Sequence, residues 1–149
     1  ARDQSDRRGI FATCKYLGEL YCKRSNASEA KKFRDEAESH VGGPRDIQWD
    51  RGLAHVAHLE ALIAEAEADW DVVVARAHEG LSFLEVHPDV RLGTQIRLVL
   101  ARALRELDRA PEGCSELDQA ARAFEQLGMW NKAAEVAGMA TAWRTGTTE

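Results

Sequence analysis

The chain of 149 residues is 44% hydrophobic and 30% charged, which excludes a disordered segment and a membrane-spanning protein. A formal net charge of −5 argues against a general binder of nucleic acid or anionic membrane. Eleven glycines and three prolines are too few for a turn-rich all-β chain, whereas 24 alanines and 14 leucines favour close-packed helices. Ala1 to Arg8 is charged and polar with no apolar run behind it, so no signal peptide is read there. The chain starts without Met and is expected to be a domain of a longer polypeptide. Cys14, Cys22 and Cys114 form no C-x-x-C, and reduced thiols in a cytosolic protein are the expectation.

Apolar residues recur with a helical period in seven segments. In chain order these are Asp6 to Lys23, Ala27 to His40, Ile47 to Glu67, Trp70 to Val86, Val90 to Leu107, Pro111 to Leu127, and Trp130 to Arg144. Ser25-Asn26, Gly42-Gly43-Pro44, His87-Pro88-Asp89, Asp108-Arg109 and Leu127-Gly128 interrupt the period and separate the helices. Pro111 suits a first helical turn, where its missing N–H has no intrahelical partner, and Gly146 ends the last helix. No segment alternates with period two, so no sheet is expected.

The helices form pairs, and the pairs repeat. Leu17, Gly18 and Tyr21 make L-G-x-x-Y, followed by Ala30 and Ala37. Large residues three and four apart share one face, and the small residue among them admits a neighbouring helix. Ala61, Asp69-Trp70, Val73 and Gly80 continue the pattern more loosely. Leu100, Ala101 and Leu104, then Gly113 and Ala120, repeat it a third time. This spacing of small and large positions resembles the tetratricopeptide repeat, a helix-turn-helix unit. The steps between Gly18, Ala61 and Ala101 exceed that family's usual period and resemble its longer variants. The resemblance implies an all-α fold of about seven antiparallel helices in a right-handed superhelix. One domain is expected, with repeats at about 6–43, 47–87 and 90–127 and a capping helix at about 130–144. A plain helical bundle is the alternative.

Candidate chemistry is sparse. His55 and His58 lie one turn apart in H-V-A-H, a spacing that serves a metal when Glu65 or Cys22 adds a third ligand. No H-E-x-x-H accompanies them, and polar residues on a groove wall are the preferred reading, with no metal or other cofactor. No serine sits in G-x-S-x-G, and Gly42-Gly43-Pro44 lacks the Lys-Ser/Thr of a phosphate loop. Carboxylates interleave with Lys and Arg as on solvated helices, so catalysis is not expected. Trp70 and Trp130 read as core residues after a turn, while Trp49 and Trp143 either cover an end of the array or face a partner.

The resemblance further implies that residues of the first helix of each pair line a concave wall. Carried across, the positions are Ala12, Lys15, Glu19, Cys22 and Lys23, then His55, His58, Leu62 and Glu65, then Gln95, Leu98, Arg102 and Arg105. Lys15, Arg102 and Arg105 are expected to converge there and to take an acidic protein or peptide segment. Lys15 matches one position of the family's carboxylate clamp, but Glu19 stands where the clamp has Asn, so binding of chaperone tails is not expected. The Ala-rich repeats are also similar to C-terminal sensor regions of actinobacterial helix-turn-helix transcription regulators. A protein- or peptide-binding module of a larger regulator is therefore the expectation, without nucleic-acid or membrane binding of its own. Homo-oligomerisation, for instance a homodimer through the seventh helix, and a helical small-ligand sensor are the alternatives.

Overall fold

The computed structural model describes residues 2–40 and 49–146, with side chains from Arg8 onward. Seven helices and no strand are present among them: α1 (Arg2–Lys23), α2 (Ala27–Ser39), α3 (Asp50–Ala66), α4 (Trp70–Phe83), α5 (Val90–Glu106), α6 (Ala110–Gln126) and α7 (Trp130–Thr145). The class is all-α. Helix ends fall close to the positions that the sequence signals, with two exceptions. α1 begins earlier than Asp6, and α4 ends before Val86 because Leu84 turns into the core beside Leu92. The expected Gly42-Gly43-Pro44 turn and the start of the third helix at Ile47 lie outside the described residues.

The turns have a common local cause. Ser25, Ala68 and Asp108 take the left-handed conformation, with φ of 58°, 56° and 59°. Each stands seven residues after Gly18, Ala61 and Ala101 respectively. The next backbone N–H then reaches back over the helix end: Asn26 donates to Tyr21 O at 2.8 Å, Asp69 to Ala64 O at 2.9 Å, and Arg109 to Leu104 O at 2.8 Å. This pairing satisfies carbonyls that the last helical turn leaves open. Gly128, at φ 73°, repeats the arrangement between α6 and α7. On the other side of the turn, Asn26 caps α2 through Glu29 N–H, and Asp89 caps α5 through Leu92 N–H.

Each helix packs on the next in sequence. In addition α1 touches α3 and α3 touches α5, whereas α2, α4 and α6 do not touch one another among the described residues. The small positions make this possible. A Cβ on Gly18 would come within 2.8 Å of Leu59, so α1 lies close on α3 there. Ala30, Ala37, Ala61, Ala101 and Ala120 are fully buried between helices. α7 lies on α6, with Ala133, Val136 and Ala140 against Leu117, Ala120 and Phe124. Ala137, which the helical period would also turn inward, is exposed.

Two of the tryptophans close off packed surface. Trp49 meets Phe11 edge-on at 4.9 Å and lies under Arg8, while Trp143 lies under Arg105 beside the α6–α7 core. Trp70 packs against the α3–α5 layer, but Trp130 is 67% exposed, contrary to its expected place in the core. It starts α7 on the outer side, where none of the described helices covers it. No helix among the described residues is long and apolar enough to cross a membrane.

Candidate functional site

The contact of α1 with α3 and of α3 with α5 leaves a pocket along the three helices. It encloses about 360 Å³. Glu19 and Cys22 come from α1, His58, Leu62 and Glu65 from α3, and Gln95, Leu98 and Arg102 from α5. These eight were all expected on the wall from the sequence, as was Lys23, which stands exposed at the edge. The recurrence every three or four residues on successive odd-numbered helices is what puts them on one side. Ser25, Ala66 and Val99 also line the pocket and were not anticipated. Ser25 and Ala66 extend the α1 and α3 stripes by one further step, a signal present in the sequence. Val99 is buried and would pass for core.

Four expected residues stand elsewhere, the first being Ala12, which is exposed and does not line the pocket. Lys15 does not line the pocket but lies behind Glu19, with Nζ 3.6 Å from Glu19 Oε1. His55 is half-buried, its ring 6.1 Å from that of Phe11. Arg105 lines a separate depression with Met139 and Trp143, its guanidinium 4.8 Å from the centre of the indole ring. The favourable contact of a guanidinium with an aromatic face draws it toward α7 and away from Arg102.

The charges inside the pocket are largely matched. Arg102 holds Glu65 through two hydrogen bonds, Nε to Oε2 at 2.7 Å and Nη2 to Oε1 at 3.0 Å. The expected cationic wall of Lys15, Arg102 and Arg105 is thus not assembled: one cation is elsewhere, and the other two face carboxylates of the chain itself.

Burial dominates the titration of the remaining groups. Desolvation first, then the positive charges of Lys15 and Arg102 and neighbouring His55, lower the His58 pKa to about 3. Desolvation and Lys15 bring His55 down to about 4. Both imidazoles are neutral at pH 7 and weak as bases. Burial, reinforced by Glu19 and Glu65, pushes the Cys22 thiol up to about 11, so it carries little thiolate. Among the described residues no three His, Cys, Asp or Glu side chains are grouped as metal ligands. The arrangement offers a shaped, partly apolar surface with polar groups held in place, which is the chemistry of holding a ligand. Comparison of the chain with protein-family models, with curated proteins and with solved structures gives no match.

Proposed function

We propose that this chain is a protein- or peptide-binding module of the tetratricopeptide kind, acting as the sensor or regulatory part of a larger bacterial cytoplasmic protein such as a transcription regulator, and that it is not an enzyme. The observation that carries the binding reading is the pocket itself, to which α1, α3 and α5 each contribute side chains from one face. The successive contacts of these three helices, and the same turn at Ser25, Ala68 and Asp108, support the repeat arrangement. An apolar floor of Leu62, Leu98 and Val99 supplies anchoring area. The matched charges around it remove the reason for requiring an acidic partner.

The test is capture of peptides on an array by the wild type and by Gln95→Trp. Gln95 is exposed at the pocket wall, so an indole there fills the pocket without touching the core. Peptides retained by the wild type and lost by the variant support the proposal. Identical capture by both proteins sinks it.

One observation favours a second reading, self-association through α7. Trp130 is 67% exposed next to Leu127, which is 37% exposed. Light scattering of wild type and Trp130→Ser decides this: a concentration-dependent dimer that the substitution abolishes assigns α7 to an interface between copies.

A further inference from the structure

The recurring turn sets a common register along the chain, and in that register both ends of the helix array stand open. Gly18, Ala61 and Ala101 are equivalent, so Tyr16 matches Leu59 and Val99, and Leu20 matches Ile63 and Ala103. In α3 and α5 these positions are buried against the helix pair that comes before. Leu59 and Ile63 pack with Ala27 and Ala30, and Val99 and Ala103 pack with Ala61, Trp70 and Val73. In α1 the same face is uncovered among the described residues. Tyr16 is 64% exposed, and Leu17 and Leu20 are only half-buried.

The other end carries the matching half. Gly128 stands seven residues after Ala121, and Met129 N–H donates to Phe124 O at 2.8 Å, so α6 and α7 repeat the turn of the earlier pairs. Trp130, Ala134 and Ala137 of α7 then correspond to Trp70, Val74 and Ala77 of α4. The α4 set is covered by α5: Ala77 is buried with Ile96 and Leu100, while Trp70 and Val74 pack beside Val99 and Ala103. All three counterparts on α7 are exposed. Terminal faces of soluble repeat arrays are ordinarily polar, yet here an aromatic ring lies open at each end.

We infer that copies of this chain associate head to tail, the α1 face of one docking on the α7 face of the next. Tyr16, Leu17 and Leu20 then meet Trp130, Ala134 and Ala137. This contact rests on the self-association reading above and names the surface that α7 meets. The chain itself shows what such faces receive. Val99, Leu100 and Ala103, the counterparts of the first three, already cover the counterparts of the second three within the molecule. Both surfaces are largely apolar, and the small Ala134 and Ala137 leave room for the Tyr16 ring beside the Trp130 indole. The two surfaces differ, so the contact is heterologous. A joined pair keeps one free face of each kind and can add further copies.

The experiment is size-exclusion chromatography with light scattering over a wide range of concentration. It compares wild type, Tyr16→Glu, Trp130→Ser and an equimolar mixture of the two variants. Both substituted side chains are mostly exposed, so neither change opens the core, and unchanged thermal melts check this. The wild-type mass should rise with concentration past that of a dimer. Each variant alone should remain a monomer, because each lacks one half of the contact. Their mixture should form a dimer and grow no further. In it the Trp130→Ser chain offers its intact α1 face to the intact α7 face of the Tyr16→Glu chain.

A wild type that stays monomeric throughout overturns this inference and the self-association reading together. If Tyr16→Glu associates as wild type does while Trp130→Ser does not, the inference alone fails, and α7 meets its own counterpart. Two monomeric variants whose mixture is also monomeric overturn the pairing of α1 with α7. Peptide capture in the pocket is judged separately, by Gln95→Trp.

Discussion

Glu65 and Arg102 join α3 to α5 by a two-pronged ion pair beside the apolar floor of the pocket, with hydrogen bonds of 2.7 and 3.0 Å. The carboxylate is less exposed than the guanidinium, and the planar fork fixes the distance between the two helices. Arg102→Met keeps most of the stem and removes both hydrogen bonds. We expect a loss of about 0.5–1 kcal/mol, reflecting a well-aligned but partly solvated pair. Urea denaturation at low and high salt checks this, and the difference from wild type should shrink as salt screens the pair.

Acid should weaken the fold before the carboxylates titrate. The pKa values of His58 and His55 fall to about 3 and about 4 in the folded chain, below the ordinary histidine value of 6.5. Below pH 6.5 the unfolded chain therefore binds protons that the folded chain refuses. Stability is full above pH 6.5 and declines as the pH falls toward the folded values, with a limiting slope of about 1.4 kcal/mol per pH unit for each histidine. Urea midpoints between pH 7 and 5 should show this decline, and His58→Leu should flatten it. A pH-independent midpoint across that range would contradict the burial of these rings.

Ala68 holds a left-handed conformation at φ 56° on an exposed turn. That conformation strains any residue with a Cβ, and its counterpart between α6 and α7 is Gly128. Ala68→Gly should raise stability by about 0.5–1 kcal/mol, after the greater freedom of glycine in the unfolded chain is set against the relieved strain. Thermal and urea melts give the sign directly. A loss of stability would mean that the turn is not left-handed in solution.

Ala120 is fully buried where α6 meets α7 and α5. Ala120→Leu adds three carbons to a layer already filled by Leu117, Phe124 and Val136, and should cost about 1–3 kcal/mol by overpacking. Denaturant midpoints together with far-ultraviolet circular dichroism would show a helical but less stable protein. Unchanged stability would indicate that α7 is not seated on this face.

The local features of the chain were legible in its residues. Helix extents followed from the apolar period, and the burial of Ala30, Ala37, Ala61, Ala101 and Ala120 followed from their spacing among larger residues. Both depend on backbone geometry within a few residues, which a short stretch of sequence specifies. The resemblance to the tetratricopeptide repeat pointed to most of the residues that line the pocket, and within each helix Glu19 with Cys22, His58 with Leu62, and Leu98 with Arg102 share a face. Tertiary structure decided where the long and polar side chains end. Arg102 and Arg105 are three residues apart on α5, yet one turns to Glu65 and the other to Trp143, partners supplied by α3 and α7. Trp130 reads like Trp70 after its turn but is left uncovered, because none of the described helices packs over the start of α7. Glu19 and His58 are brought face to face only because Gly18 lets α1 settle onto Leu59. A helical period shows which side of its own helix a residue takes; the charge, ring or acceptor it then meets is contributed by another helix, and the packing of the two sets that contact.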